Sequence, residues 1–189
     1  MIRTGTLAIA VCTGLSGPVL AADGEGRYAV EGPGRLTCAD FNALEPDDPL
    51  RRDLAVWLSG YMTAHHRLLP ETFDLTPWQN PATMLAMVAQ YCQANPDRIA
   101  ERAAQELVSF LAPRRIRTET PALMQRAGDQ VTLLYQEVLD KAAAALGEAG
   151  FPVAAGEDGL ANAVRGYQQR EGLPETGALD QSTLARLLR

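Results

Sequence analysis

Histidine and cysteine are scarce in this chain, with two and three copies among 189 residues. A structural zinc site needs four Cys or His ligands, and Cys12 falls within the leader described below, so a zinc module is excluded. The histidines, His65 and His66, are adjacent in sequence. On a helix such neighbours project about 100° apart and cannot grip one metal as an i, i+4 pair can. Positive charge is also in deficit, 17 Lys and Arg against 23 Asp and Glu, for a net charge of −6. Neutralising phosphates takes clustered cations, so no nucleic-acid partner is expected. No Cys-x-x-Cys pair, Gly-x-Ser-x-Gly elbow or Gly-rich phosphate loop occurs. The paired carboxylates Asp47-Asp48 stand between two prolines, not in a pocket that would raise a carboxyl pKa. No catalytic residue, metal ligand or cofactor is therefore expected. No transmembrane segment is expected either, because no apolar run approaches the roughly 20 residues that a spanning helix needs.

What is present begins with a leader. A basic start at Met1-Ile2-Arg3, an apolar stretch over 7–15, a break at Gly17-Pro18 and small residues around Ala21 read as a cleaved secretory signal over residues 1–21. Val11 occupies the place where lipid attachment at Cys12 would need a small residue. Export to the periplasm leaves Cys38 and Cys92 in an oxidising compartment, where an even pair in a small domain forms a bridge. On the chain-entropy model, closing that loop stabilises the fold by about 4 kcal/mol. The competing arrangement is two buried free thiols.

Helical spacing dominates the mature chain. Thr37 and Asp40 have the spacing of a helix N-terminus, ahead of a short helix carrying Cys38 and Phe41. Leu50, Leu54, Trp57, Leu58, Tyr61 and Met62 form one apolar stripe. Three prolines with Phe73 and Trp78 mark an ordered loop over 70–81. A further helix from Pro81 points Met84, Leu85, Val88 and Cys92 inward. Asn95-Pro96 separates it from another, with Ile99, Ala103, Leu107, Phe110 and Leu111 as its inner face. Residues 113–122 have the composition of a linker. Beyond it, Leu123, Ala127, Val131, Leu134, Val138, Ala142 and Ala145 predict one long helix ending at Gly147 and Gly150. Two shorter helices, near 160–170 and 180–188, complete an all-α chain. Its expected parts are a helical domain over 22–112, the linker, and a long helix plus small module over 123–189.

The segment from about 146 to 189 resembles the three-helix peptidoglycan-binding-like domain. The matching residues are Leu146-Gly147, Gly150-Phe151, Asp158-Gly159, Ala163-Val164, Tyr167-Gln168, Gly172-Leu173, Thr176-Gly177 and Thr183-Leu184. The stretch between Asp158-Gly159 and Ala163-Val164 is shorter than in that family. The resemblance implies a shallow cleft for muropeptide or glycan, with Asp158, Asn162, Tyr167 and Gln168 as candidate ligand-binding residues. Their competing structural roles are a core position for Tyr167 and a helix cap for Asp158.

Residues 35–111 resemble exported acid-stress chaperones of the HdeA type through Leu36-Thr37-Cys38-Ala39-Asp40-Phe41, Trp57-Leu58-Ser59-Gly60-Tyr61 and Tyr91-Cys92 before Asn95-Pro96. That resemblance implies a bridged helical core and, in the chaperones, acid-driven exposure of apolar surface to unfolded clients. The leading expectation is a non-catalytic periplasmic protein that associates with peptidoglycan through its C-terminal module. It would bind a protein partner through its helical domain, with Phe73 and Trp78 as the docking residues. The alternative is an acid-activated holdase.

Overall fold

The computed structural model of the chain describes residues 22–127 and 129–189. The expected signal peptide, and Cys12 with it, lies outside the described residues. The chain divides into a short unit, Met1–Val30, and a main unit, Glu31–Arg189. In the short unit the Asp23 carboxylate accepts hydrogen bonds from the Glu25 and Arg27 amides at 3.0 and 2.8 Å, closing a turn.

The first core of the main unit is built by helices that start where the sequence places stop and start signals. Helix α1 (Cys38–Ala43) is capped by Thr37, whose hydroxyl accepts from the Asp40 amide and donates to the Asp40 carboxylate. Helix α2 (Pro49–Leu68) begins with Pro at its first position and Asp48 as cap. Helix α3 (Pro81–Ala94) repeats the device with Asn80, and α4 (Ala100–Leu111) follows. Cys38 and Cys92 are bonded to each other, tying α1 to α3 across 54 residues of chain. Both are buried among Phe41, Leu54, Leu58, Met62 and Val88. The start of α1 is also fixed to the start of α4, since the Cys38 amide donates to the Arg98 carbonyl and the Ala100 amide to the Leu36 carbonyl. Phe110, expected on the inner face of α4, is instead half exposed. The buried stripe is Ala100, Ala103, Ala104, Leu107, Val108 and Leu111, which leaves Phe110 at its edge.

The single long helix expected from residue 123 does not form in its first half. Strands β1 (Ala122–Ala127) and β2 (Gln130–Tyr135) pair antiparallel, with Ala122 opposite Tyr135 and Ala127 opposite Gln130. The fold is therefore mostly helical with one small sheet, not purely all-α. The sequence between the strands, Gly-Asp at 128–129, has the composition that favours a hairpin, and this outweighs a helical period carried by only four apolar residues. Helix α5 (Gln136–Glu148) takes up the remainder of the expected helix, burying Val138, Leu139, Ala142 and Leu146. Helices α6 (Gly159–Glu171) and α7 (Gln181–Leu187) close a second core with α5 around Val164, Tyr167, Leu179 and Leu184.

Ile116, within the segment expected as a linker, is fully buried in this second core. Its backbone pairs with Asp74 by hydrogen bonds of 2.8 and 3.1 Å. No helix of the described residues is long and apolar enough to cross a membrane.

Candidate functional site

The loop between α6 and α7 is shaped by its glycines and by one buried amide. Gly172 ends α6 in the left-handed conformation at φ 66°, and Gly177 turns the loop at φ 71°. Gln168, fully buried, reads the loop from below. Its Oε1 accepts from the Gly177 amide at 2.8 Å, and its Nε2 lies 2.8 to 3.1 Å from the Thr183 and Thr176 hydroxyls and the Ala178 carbonyl. Those two hydroxyls donate in turn to the Asp180 carboxylate, each at 2.9 Å. Asp180 also caps α7 through the Thr183 amide. Burial pushes the Asp180 carboxyl up, but the hydrogen bonds from Ser182, Thr183 and Thr176 outweigh it and hold the group below its ordinary value.

The four residues expected to bind a ligand do not share one surface. Asp158 and Asn162 are exposed, one turn apart at the start of α6. Asp158 occupies the cap position without a side-chain cap bond, and Asn162 accepts from the Arg165 guanidinium at 3.0 Å. Tyr167 and Gln168 are buried instead. The Tyr167 ring meets Phe151 edge to face at 6.2 Å, and the Arg170 guanidinium stacks over both rings. Burial, with the nearby Glu171 carboxylate, raises the Tyr167 hydroxyl above its usual value against opposing arginines. The polar groups at this end of the module are the exposed Asp158 and Asn162 and the half-buried Arg165, the last lying against Gly177. Arg165 carried no sequence signal because its place beside Gly177 depends on the loop. The hairpin closes one side of this end, where Ala127 packs with Ala161 and Ala178. The hollow left there, about 30 Å³, is close to the size of a single water.

Phe73 and Trp78 are half-buried against the second core. The Phe73 ring meets Tyr135 at 5.8 Å. Gln181 of α7 reaches the loop from the other side: its amide donates to the Trp78 carbonyl, and its Oε1 accepts from the Asn80 amide at 3.0 Å and the Thr83 hydroxyl at 2.7 Å. Trp78 lines a cleft of about 610 Å³ together with residues of α3, α4 and α7; Phe73 is not among its lining residues.

His66 lies beside this loop with its Nε2 3.3 Å from Asp74 Oδ1. That nitrogen is buried without an aligned hydrogen-bond partner among the described residues. Burial therefore outweighs the Asp74 charge and, helped by His65, depresses the His66 pKa. Among the described residues no group of three or more His, Cys, Asp or Glu is placed to hold a metal ion.

A family model for a peptidoglycan binding domain matches residues 150–187, the segment containing α6, the glycine loop and α7. No curated protein and no solved structure matches the chain. The resemblance of residues 35–111 to the acid-stress chaperones gains no support from these comparisons.

Proposed function

We propose that this protein is a non-catalytic component of the periplasm that associates with peptidoglycan through residues 150–187. The family match over that segment carries the reading. The disulfide between Cys38 and Cys92 supports an oxidising location. The loop face of the module is the proposed contact surface. Its backbone is held rigid from below by Gln168 and Asp180, so little ordering entropy is lost when a glycan or stem peptide lies on it. Asp158, Asn162 and Arg165 supply polar groups there, and Tyr167 and Gln168 act beneath the surface as supports.

Removing the module would strip α6 and α7 from the second core, so the informative experiment keeps the chain whole. Purified protein is sedimented with isolated sacculi and compared with the Asp158→Ala/Asn162→Ala variant. Retention of the parent chain and an approximately tenfold loss in the variant is the expected result. No retention of the parent chain above a bovine albumin control removes the reading. The holdase alternative rests on the resemblance of residues 35–111 and has no structural feature that favours it. Suppression of client aggregation at pH 2–3 would be its signature.

A further inference from the structure

The cleft beside Trp78 is a second candidate site, independent of the peptidoglycan reading. It lies within the main unit and measures about 610 Å³, inside the roughly 300–1,000 Å³ range of small-molecule sites. Trp78, Met87, Phe110 and Leu188 give it apolar walls. Phe110 is half exposed in a helix whose other large apolar residues are mostly buried, so its ring is available to a ligand. The charged side chains lining the cleft are Arg114 and Arg189, in a chain that is acidic as a whole. Neither is ion-paired among the described residues. The Arg114 guanidinium stacks over the Phe110 ring at 4.4 Å and donates to the Phe110 carbonyl, and Arg189 donates to the Ala185 carbonyl. Each guanidinium has five N–H donors, so both keep spare donors beside an apolar wall.

We propose that this cleft binds a monomeric single-chain amphiphile with an anionic head, its apolar body against Trp78, Phe110 and Leu188 and its head on Arg114 and Arg189. Charge selects the class of ligand. A cationic head would meet two unpaired arginines, whereas a carboxylate gains charge-assisted hydrogen bonds that are stronger near a low-dielectric wall. The size and partial enclosure of the cleft suit a small molecule that is mostly buried once bound.

The test uses the whole chain with sodium laurate as probe, kept below its micelle concentration, and laurylammonium as the matched cation. Binding is read by calorimetry and by the emission of Trp78, assigned with a Trp78→Phe variant. Laurate is expected to bind at least about tenfold more tightly than laurylammonium. The Arg114→Gln/Arg189→Gln variant is expected to lose at least about tenfold in laurate affinity. Ala86→Trp, at an exposed position on the cleft wall, is expected to block binding while leaving the melting temperature unchanged. Equal affinity for the two head groups, no binding of laurate, or a calorimetric signal that survives the Trp insertion would each overturn the proposal. If the arginine variant fails to fold, the laurate against laurylammonium comparison on the parent chain still decides it.

Discussion

At the scale of single residues, two positions show how close contacts turn a composition into a requirement. Gly34 lies under the Trp57 indole so closely that a Cβ there would overlap the ring. Gly34→Ala must push Trp57 out of its place beside the first core, and overpacking of this kind costs about 1–3 kcal/mol. Urea unfolding followed by Trp emission measures it; a change under about 0.5 kcal/mol would mean the ring has room to move. Asp180 makes the second case. Its carboxyl is held below the ordinary value in the folded state, so its contribution to stability is complete above the unfolded Asp pKa of about 4. That contribution disappears as pH falls through the lower, folded value. Asp180→Asn should be less stable than the parent chain at pH 7, with the difference shrinking below pH 4. Thermal melts across pH 2–7 show whether the two curves converge. Gln168, beside it in the network, is a candidate ligand group by the family resemblance. A buried Gln is exceptional, and the partners that satisfy it lie eight to fifteen residues further along the chain. Local pattern carries no trace of them.

At the scale of elements, the sequence was most legible where a boundary has a chemical cause. Thr37 with Asp40 and the proline at 81 start helices where the sequence places them, and the structure adds Asp48 and Asn80 as the caps of α2 and α3. The stripe from Leu54 to Met62 and the inward Cys92 follow from helical period alone. Legibility failed at β1 and β2 because Leu123, Ala127, Val131 and Leu134 satisfy a helical period while the strands alternate. Leu134 and Ala127 face the core from one side of the hairpin, and Met124 and Leu133, directly paired, are exposed on the other. In a two-stranded sheet, which is marginal by itself, such packing against a core decides the outcome. The disulfide acts on the element scale too, since it joins α1 to α3 across a loop of 54 residues. Reduction should cost about 4 kcal/mol on the chain-entropy model. Unfolding midpoints with and without reductant test this, and equal midpoints would show that packing of Phe41, Leu54 and Leu58 holds α1 unaided.

At the scale of the whole main unit, the question is why two separate cores form one body. Several ties among the described residues cross between them. Asp74 and Ile116 pair by backbone, Phe73 packs on Tyr135, and Gln181 holds the loop at Trp78, Asn80 and Thr83. Sequence reading placed a linker here because Pro113, Arg114, Arg115 and Arg117 have linker composition, and the one buried side chain among them, Ile116, is too isolated to register as part of a core. His66 stands at the same joint. It belongs to α2 of the first core and faces Asp74, which in turn accepts from Thr76 and is hydrogen-bonded to Tyr135 of the second. Because burial depresses its pKa below the unfolded value near 6.5, the folded protein resists a proton that the unfolded chain accepts. Stability is complete above about pH 6.5 and falls as pH drops from there through the folded pKa. His66→Gln removes the titrating group while keeping a polar side chain of similar length. The parent chain should therefore lose melting temperature between pH 7 and pH 5, and the variant should lose less over the same interval. If the joint couples the cores, emission from Trp57 in the first core and Trp78 at the tie should report one midpoint at every pH. Parallel pH curves for the two proteins would show that protonated His66 is accommodated through Asp74 after all, and separate midpoints would show that the ties do not make the cores unfold together.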